Sequence, residues 1–259
     1  MPLYGNWCDR AEEISARKRY WLLTEKAGGR GGIWALLLQT VRSHYDCLER
    51  VAEDAKRLGY AKAAEILKTR MPRTGTARSG DLGEILASEL ASEHLNYRVP
   101  IKRLRFKDGR EMALRGDDFI GVFVEDNGNL KLLKGESKSR ATLAKTAITE
   151  GREVLNRDDG RCTPESLLFV ADRLLESPDG ADQELGRALR DEVGNKSMPA
   201  GRIEHMLFTF SGNAPPASFK EDLEAASADR DQYNINLRIV DHGTFIGGVF
   251  AEAVKFGNS

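Results

Sequence analysis

Cysteine is scarce in this sequence, with three in 259 residues. Cys8, Cys47 and Cys162 are widely spaced and form no CxxC pair, which argues against a disulfide framework or a zinc site and favours a reducing compartment. The four histidines are scattered and form no HxxH group, so we expect no histidine-bound metal. The sequence therefore does not resemble the small disulfide-rich or zinc-binding classes.

Long apolar runs and a secretion signal are also missing. The strongest apolar run, residues 33–38, is far shorter than the roughly 20 residues that span a bilayer. Residues 1–6 contain no basic segment ahead of an apolar run, so we expect no signal peptide. Hydrophobic residues make up 41% and charged residues 31%, which predicts a folded core under a charged surface. We therefore expect a cytoplasmic protein with no membrane partner.

The formal net charge of −1 conceals an asymmetry along the chain. Residues 1–150 carry 27 basic and 21 acidic side chains, whereas residues 151–259 carry 12 basic and 19 acidic ones. The first part would attract a polyanion such as nucleic acid, and the second would not. Mixed surface charge also serves solubility alone, so charge does not decide between these explanations.

The apolar spacing of residues 1–72 predicts a helical N-terminal region and a possible surface for partner docking. We predict a helix over 9–26, a glycine-rich linker at 27–32, a longer helix with apolar positions over 37–58, and a last helix over 61–70. No Gly-Lys-Ser/Thr follows the linker glycines, so a flexible linker is favoured over a phosphate-binding loop.

The pattern changes after residue 78, and residues 78–259 predict a second domain of mixed α/β type. Its first elements are predicted as a helix over 81–93 and strands over 99–106, 111–114, 119–125 and 130–138. The later ones are helices over 141–155, 164–176, 182–193 and 219–228, strands over 203–211 and 233–240, and a short C-terminal helix. This order predicts an α/β fold with a mixed sheet.

Glu136 and Lys138 are the first pair that suggests chemistry. They are two residues apart on a predicted strand, so both side chains leave the same face. An ordinary exposed strand pair is one interpretation. The other is a functional site, because the preceding leucines look buried and charges at the end of a buried strand need partners.

An aspartate from the neighbouring strand is predicted to join this pair. Asp117 and Asp118 precede the strand that forms a hairpin with the Glu136 strand. A two-residue turn would place Asp117 opposite Lys138, and a three-residue turn at 127–129 would place Asp118 there, so the residues alone leave both open. Carboxylates from two adjacent strand ends are suitable ligands for a hard divalent cation such as Mg²⁺.

Three motifs resemble those of the PD-(D/E)XK nuclease superfamily: Gly80-Asp81-Leu82-Gly83-Glu84, Arg115-Gly116-Asp117-Asp118-Phe119-Ile120-Gly121, and Gly135-Glu136-Ser137-Lys138. The resemblance lies within residues 80–140 and implies a restriction-endonuclease-like core. It also implies that the acidic residues bind one or two Mg²⁺ or Mn²⁺ ions and that the lysine positions or activates the attacking water. The superfamily pattern of an aspartate before two apolar residues favours Asp118 over Asp117. The proline that often precedes this aspartate is missing.

This resemblance assigns a role to each candidate residue. Asp118 and Glu136 would be direct metal ligands in phosphodiester hydrolysis, and Lys138 would orient the water or stabilise the charge of the transition state. Glu84 would reach the metal directly or through water from the preceding helix. Its alternative is structural, because Asp81 followed by Glu84 has the spacing of a helix capping box.

More narrowly, the motif spacing and the helical N-terminal region resemble the HamA family of nuclease effectors in bacterial Hachiman antiphage defence. The resemblance implies a DNA substrate, a bacterial cytoplasmic location and a HamB-like superfamily-2 helicase as partner. The helicase would restrain the nuclease until activation, since an unrestrained nuclease would destroy its host. Residues 1–72 and the acidic C-terminal part are the candidate docking surfaces.

The basic residues near the motifs allow two interpretations: they contact a DNA backbone, or they are ordinary solvated surface residues. One set lies after Lys138 and comprises Arg140, Lys145 and Arg152. The other lies on a predicted hairpin and comprises Lys102, Arg103, Arg105 and Lys107. Two further functions remain open at this stage: a DNA-binding adaptor that keeps the fold without chemistry, and a restriction or repair nuclease with target recognition in residues 1–72.

Overall fold

The computed structural model describes residues 2–255, which contain six β-strands in one sheet. The strands are β1 (Cys8–Ser15), β2 (Lys18–Glu25), β3 (Phe119–Val124), β4 (Leu130–Arg140), β5 (Ile203–Ser211) and β6 (Gln232–Arg238). Their order across the sheet is β1-β2-β6-β5-β4-β3. The four central strands β2, β6, β5 and β4 run parallel, while β1 and β3 are antiparallel edges. The predicted α/β fold with a mixed sheet is therefore confirmed.

Ten α-helices surround the sheet in the described part of the chain. They are α1 (Tyr4–Trp7), α2 (Gly29–Tyr45), α3 (Leu48–Leu58), α4 (Tyr60–Arg70), α5 (Gly75–His94), α6 (Lys145–Asn156), α7 (Pro164–Leu175), α8 (Gly180–Asn195), α9 (Ser218–Ala225) and α10 (His242–Ala253). Short 3₁₀ helices cover Arg103–Phe106, Arg157–Gly160 and Ala200–Arg202. No helix in residues 2–255 has the length and apolar character that crossing a bilayer requires.

Helices cover both faces of the sheet and bury nearly all of its central strands β5 and β6. All nine residues of β5 are buried. Phe208 and Phe210 pack with α2, α5 and α10 on one face, and Leu207 packs with α6 and α9 on the other. A parallel strand covered on both faces carries apolar side chains on both, as the run 206–208 at the centre of β5 does. The polar residues of β5 are buried as well. The predicted strand over 203–211 matched the observed bounds.

The predicted helix over 9–26 is wrong, because this segment forms the β1–β2 hairpin. Strand β2 pairs in parallel with β6, more than 200 residues later in the chain. Trp21 and Leu23 are buried at alternate positions, as expected for a strand with one face on the core. Within the predicted helical N-terminal region, the described helices are thus the short α1 and the segment from Gly29 to Arg70, and the sheet contains residues from both sides of the predicted boundary at 72–78.

The strands predicted over 99–106 and 111–114 are also absent from the described chain. Residues Arg103–Phe106 form a 3₁₀ helix, and the only pairing of this region with β3 is an isolated bridge between Arg98 and Val122. Pro100 removes a ladder donor, and Arg105 instead donates hydrogen bonds to the Ser43 carbonyl oxygen. The predicted three-stranded meander is thus a two-stranded hairpin, β3–β4.

Candidate active site

The β3–β4 hairpin aligns Asp118 with Glu136. Phe119 and Gly135 form the last pair of the antiparallel ladder. Asp118, just before Phe119, and Glu136, just after Gly135, therefore lie opposite each other beyond that pair. The turn is closed by a hydrogen bond from Glu125 N to Asn129 O at 2.9 Å, which leaves residues 126–128 as the loop. The loop has the three-residue length of the second predicted alternative but begins one residue earlier, so Asp118 lies opposite Glu136 and not opposite Lys138. Asp118 Oδ2 accepts a 2.8 Å hydrogen bond from Ser137 N, which fixes it to β4.

Glu136 and Lys138 form a close ion pair at the same end of β4. Lys138 Nζ donates to Glu136 Oε1 at 2.6 Å, and the two side chains are 17% and 5% exposed. The aliphatic part of Lys138 lies near Gly151 of α6, where a Cβ would come within 3.5 Å of Lys138 Cγ. The lysine is therefore held between a buried carboxylate and a helix.

Two glycines of the sequence motifs allow these elements to approach closely. A Cβ on Gly135 would lie 2.2 Å from carbons of the Phe119 ring, so only glycine leaves room for that ring across the hairpin. A Cβ on Gly83 would lie 2.7 Å from Ser137 Oγ, so α5 can rest directly on β4. Glu84 follows Gly83 and thereby reaches the strand ends.

Glu84, Asp118, Glu136 and Lys138 line a single pocket of about 320 Å³. The structure thus brings together the four residues predicted from the motifs. The capping-box explanation for Glu84 is wrong, because α5 begins at Gly75 and its cap is Thr74, whose side chain accepts a hydrogen bond from Ala77 N.

Asp117, the alternative ligand, lies away from this pocket in the protein interior. Its Oδ2 accepts a 2.8 Å hydrogen bond from Thr163 N, and its Oδ1 lies 3.6 Å from Lys134 Nζ. Both side chains of this ion pair are fully buried. Its backbone N donates to Ser166 Oγ. Asp117 therefore anchors the start of β3 to α7 and is not available to a ligand in the pocket.

The carboxylates of the pocket destabilise one another when ionised. Burial and then the Asp118 charge raise the pKa of Glu136 to about 8 and hold the pKa of Glu84 well above its usual value. Burial also raises the pKa of Asp118, although the Ser137 N–H and Lys138 act in the opposite direction. A cation in the pocket would relieve this repulsion.

The donor set suits a hard divalent cation, since it consists of carboxylate oxygens that are buried at Glu136 and partly buried at Glu84 and Asp118. As they stand, however, no three histidine, cysteine or acidic side chains within residues 2–255 are grouped closely enough to hold a metal ion. One oxygen of Glu136 is instead occupied by Lys138. The chemistry of the residues thus fits a metal, while their present arrangement is not a complete coordination shell.

Lys107 and Asp81 also line the pocket, although neither was predicted to take part in catalysis. Lys107 Nζ lies 2.7 Å from Asp81 Oδ1, and Tyr45 donates a 2.7 Å hydrogen bond to Asp81 Oδ2. Asp81 lies one helical turn before Glu84, so their shared face was a usable signal. Lys107 follows a 3₁₀ helix predicted as a strand, and no local pattern indicated where its side chain would point.

A buried arginine adds positive charge behind the pocket. Arg103 is 5% exposed, donates to the Arg115 carbonyl oxygen at 2.5 Å and has no hydrogen-bond partner for Nε among the described residues. Its charge lowers the pKa of Asp118 and Glu84, against the larger effect of burial. Arg103 therefore partly balances the carboxylates.

The three basic residues predicted to contact DNA have different surroundings. Arg140 is exposed at the end of β4, and Lys145 is exposed at the first position of α6. Arg152 is 11% exposed and forms an internal ion pair with Asp222 at 2.8 Å, together with a 2.9 Å hydrogen bond to Asn234 Oδ1. Arg152 therefore ties α6 to α9 and β6.

Comparison with known proteins gives a consistent assignment. The HamA family model matches residues 6–253. The chain is also 30% identical over 191 residues to the Hachiman protein HamA of Bacillus cereus. That alignment covers 74% of this chain and 66% of the relative, so it spans just under two thirds of the relative's length. Because the family model matches nearly the whole described chain, this protein belongs to the HamA family.

Proposed function

We propose that this protein is a metal-dependent nuclease of the PD-(D/E)XK type that hydrolyses phosphodiester bonds in DNA. The observation that carries the proposal is the convergence of Glu84, Asp118, Glu136 and Lys138 on one pocket. Glu84 comes from α5, Asp118 immediately precedes β3, and both Glu136 and Lys138 lie on β4; the helix α6 and the parallel strand β5 follow. This order is consistent with a nuclease core of that type.

In this proposal Asp118 and Glu136 hold Mg²⁺ or Mn²⁺, with Glu84 as a direct or water-mediated ligand. The bound ion neutralises phosphate charge and lowers the pKa of a coordinated water. Lys138 positions that water or stabilises negative charge developing on the phosphate. Lys107, held by Asp81, faces the same pocket and contributes a second positive charge.

We further propose that the nuclease acts in Hachiman antiphage defence and that a HamB-like helicase restrains it until activation. Membership of the HamA family and the name of the Bacillus cereus relative support this assignment. The outer strand β1 offers a docking edge, since seven of its eight residues are exposed and its outer side is unpaired in the described chain. An exposed strand edge is suited to pairing with another chain.

The test is DNA cleavage by the full chain with Mg²⁺, with Mn²⁺ and with EDTA, alone and with the helicase and ATP. Glu136→Gln removes a proposed ligand, and Glu153→Gln on the exposed face of α6 is its matched control. We expect metal-dependent cleavage in the wild type and the control and none in Glu136→Gln. Equal cleavage by Glu136→Gln, or cleavage that persists in EDTA, would rule out the proposed site.

A catalytically silent DNA-binding adaptor is the second candidate. Two observations favour it. The acidic side chains in residues 2–255 do not form a ready metal-binding group, and one carboxylate oxygen of Glu136 is already hydrogen-bonded to Lys138. Absence of both metal binding and cleavage, with the helicase present, would select this function over the first.

A further inference from the structure

A groove beside the candidate active site runs between the start of α5, the end of β4 and the start of α10. We name it the arginine groove. Residues of all three elements line it, including Arg78 and Ser79 on α5, Ser139 and Arg140 on β4, and His242 and Gly247 on α10. Its volume is about 650 Å³, and it shares Thr76 and Gly80 with the active-site pocket. The two cavities are therefore adjoining parts of one surface depression.

The groove and the pocket differ sharply in charge. No aspartate or glutamate lines the groove, whose charged residues are Arg78 and Arg140. Five acidic residues line the adjoining pocket: Asp81, Glu84, Glu111, Asp118 and Glu136. An anion would therefore be repelled by the pocket unless a cation is bound there, but it would be attracted by the groove.

The positive charges of Arg78 and Arg140 are not neutralised by close carboxylates, so they can attract an anion in the groove. Arg78 Nε donates to the Pro72 carbonyl oxygen at 3.0 Å, and no described carboxylate lies within 4.0 Å of its guanidinium. Arg140 donates to the Ser139 carbonyl oxygen at 2.9 Å, and its nearest carboxylate, Glu150, lies 3.9 Å away with both side chains half exposed. Such an exposed pair contributes little, so it does not neutralise Arg140.

The floor of the groove is rigid and leaves room for a ligand. Ser139 Oγ lies 2.7 Å from Ser79 Oγ and 3.0 Å from His242 Nε2, which joins β4, α5 and α10 through one hydrogen-bonded chain. At four lining glycines a Cβ would meet no atom within 4 Å: Gly75, Gly80, Gly243 and Gly247. Their backbone is thus open to close approach by a ligand.

We propose that the arginine groove binds the backbone phosphates of the nucleic-acid strand whose scissile bond enters the active-site pocket. This inference rests on the proposed nuclease function. A strand backbone places phosphates on both sides of the scissile bond, and the groove supplies positive charge immediately beside the carboxylates. Contacts of this kind fix the position of the strand without reading its sequence.

Gly247 provides a charge test with a matched control. It lies inside α10 with no neighbouring atom to clash, so both Gly247→Glu and Gly247→Gln should fold. Binding is measured by fluorescence anisotropy of a fluorescein-labelled 20-nucleotide dT strand in EDTA at 50 mM NaCl. We expect Gly247→Glu to weaken Kd by about fivefold or more through repulsion, and Gly247→Gln by less than about twofold.

The arginines provide a second, independent test. Arg78→Gln combined with Arg140→Gln should weaken Kd by about tenfold and reduce the salt dependence of binding by about one unit per lost phosphate contact. Arg187→Gln on α8 combined with Lys62→Gln on α4, two exposed positions that do not line the groove, is the charge-matched control and should bind as the wild type does. Glu136→Gln should keep binding and lose cleavage, which separates the two proposals.

Three results would overturn the groove assignment: no measurable binding by the wild type, equal Kd values for Gly247→Glu and Gly247→Gln, or unchanged binding in the double arginine variant. If binding follows the groove variants but metal-dependent cleavage never appears, the proposed nuclease function fails, and the groove is a phosphate-binding surface that does not position a scissile bond. If cleavage depends on Glu136 but the groove variants bind as the wild type does, the nuclease function stands and the groove assignment fails.

Discussion

Lys138 Nζ lies 2.6 Å from Glu136 Oε1, at the end of β4 where the strand leaves the protein core. The contact opposes the repulsion between Glu136 and Asp118 that raises the pKa of Glu136 to about 8. In the proposed nuclease a bound cation would oppose the repulsion between Glu136 and Asp118 in place of Lys138. Lys138 is then free to act on water or phosphate.

The first prediction concerns Lys138 itself. Lys138→Met keeps much of the side-chain volume but removes the charge, so the rate of DNA cleavage at saturating DNA should fall by about 100-fold or more. Lys62→Met on the exposed face of α4 is the control and should cleave at the wild-type rate. A Lys138→Met variant with weaker DNA binding and an unchanged maximal rate would show that this lysine only attracts substrate.

The second prediction concerns the contact between Gly135 and Phe119. Gly135→Ala would place a methyl group 2.2 Å from the Phe119 ring, and we expect a loss of about 1–3 kcal/mol in the free energy of unfolding. Gly194→Ala in α8 meets no atom within 4 Å and should leave stability unchanged or raise it by up to about 1 kcal/mol. Urea unfolding measures both, and equal midpoints would contradict the packing described.

The third prediction concerns the buried ion pair between Asp117 and Lys134. Lys134→Met leaves the buried Asp117 carboxylate without its counter-ion, which should lower the free energy of unfolding by about 3–5 kcal/mol. Adding Asp117→Asn removes the buried charge and should restore part of that loss. Urea unfolding of the single and double variants tests this coupling, and strictly additive losses would exclude it.

The fourth prediction is a pH dependence of stability from His205. Burial, together with Arg230, Arg152 and Lys134, lowers its pKa to about 3, although a hydrogen bond to the Gly160 carbonyl oxygen acts the other way. The unfolded chain binds a proton below about pH 6.5 and the folded chain does not, so stability falls as the pH falls.

This histidine should contribute a loss of about 1.4 kcal/mol per pH unit between pH 6.5 and pH 4. Urea unfolding at several pH values measures the slope, and His205→Gln should reduce it by that amount. A variant with the wild-type slope would show that His205 is protonated in the folded protein.

The sequence predicted the convergence of Glu84, Asp118, Glu136 and Lys138 on one pocket more accurately than the helices and strands around them. Glu136 and Lys138 were predictable because strand alternation puts them on one face. The identity of the partner aspartate depended on the turn length, and the sequence left a two-residue turn at 127–128 and a three-residue turn at 127–129 both open. The actual loop has three residues, with Gly128 at φ +80°, and this register aligns Asp118 with Glu136.

Long-range contacts explain the errors. The segment over 9–26 carried no local sign of strand β6, its partner more than 200 residues away, so its apolar spacing was assigned to a helix. Lys107 reaches the pocket only because Asp81 and a 3₁₀ helix hold it there. Local periodicity contains no information about either contact.

The most direct test of the central claim is calorimetric titration of the full chain with Mn²⁺. Wild type and Glu153→Gln should bind the ion, whereas Asp118→Asn and Glu136→Gln should each lose most of the affinity, because each removes a carboxylate from the same pocket. Binding that is absent in the wild type, or equal in all four proteins, would contradict the account.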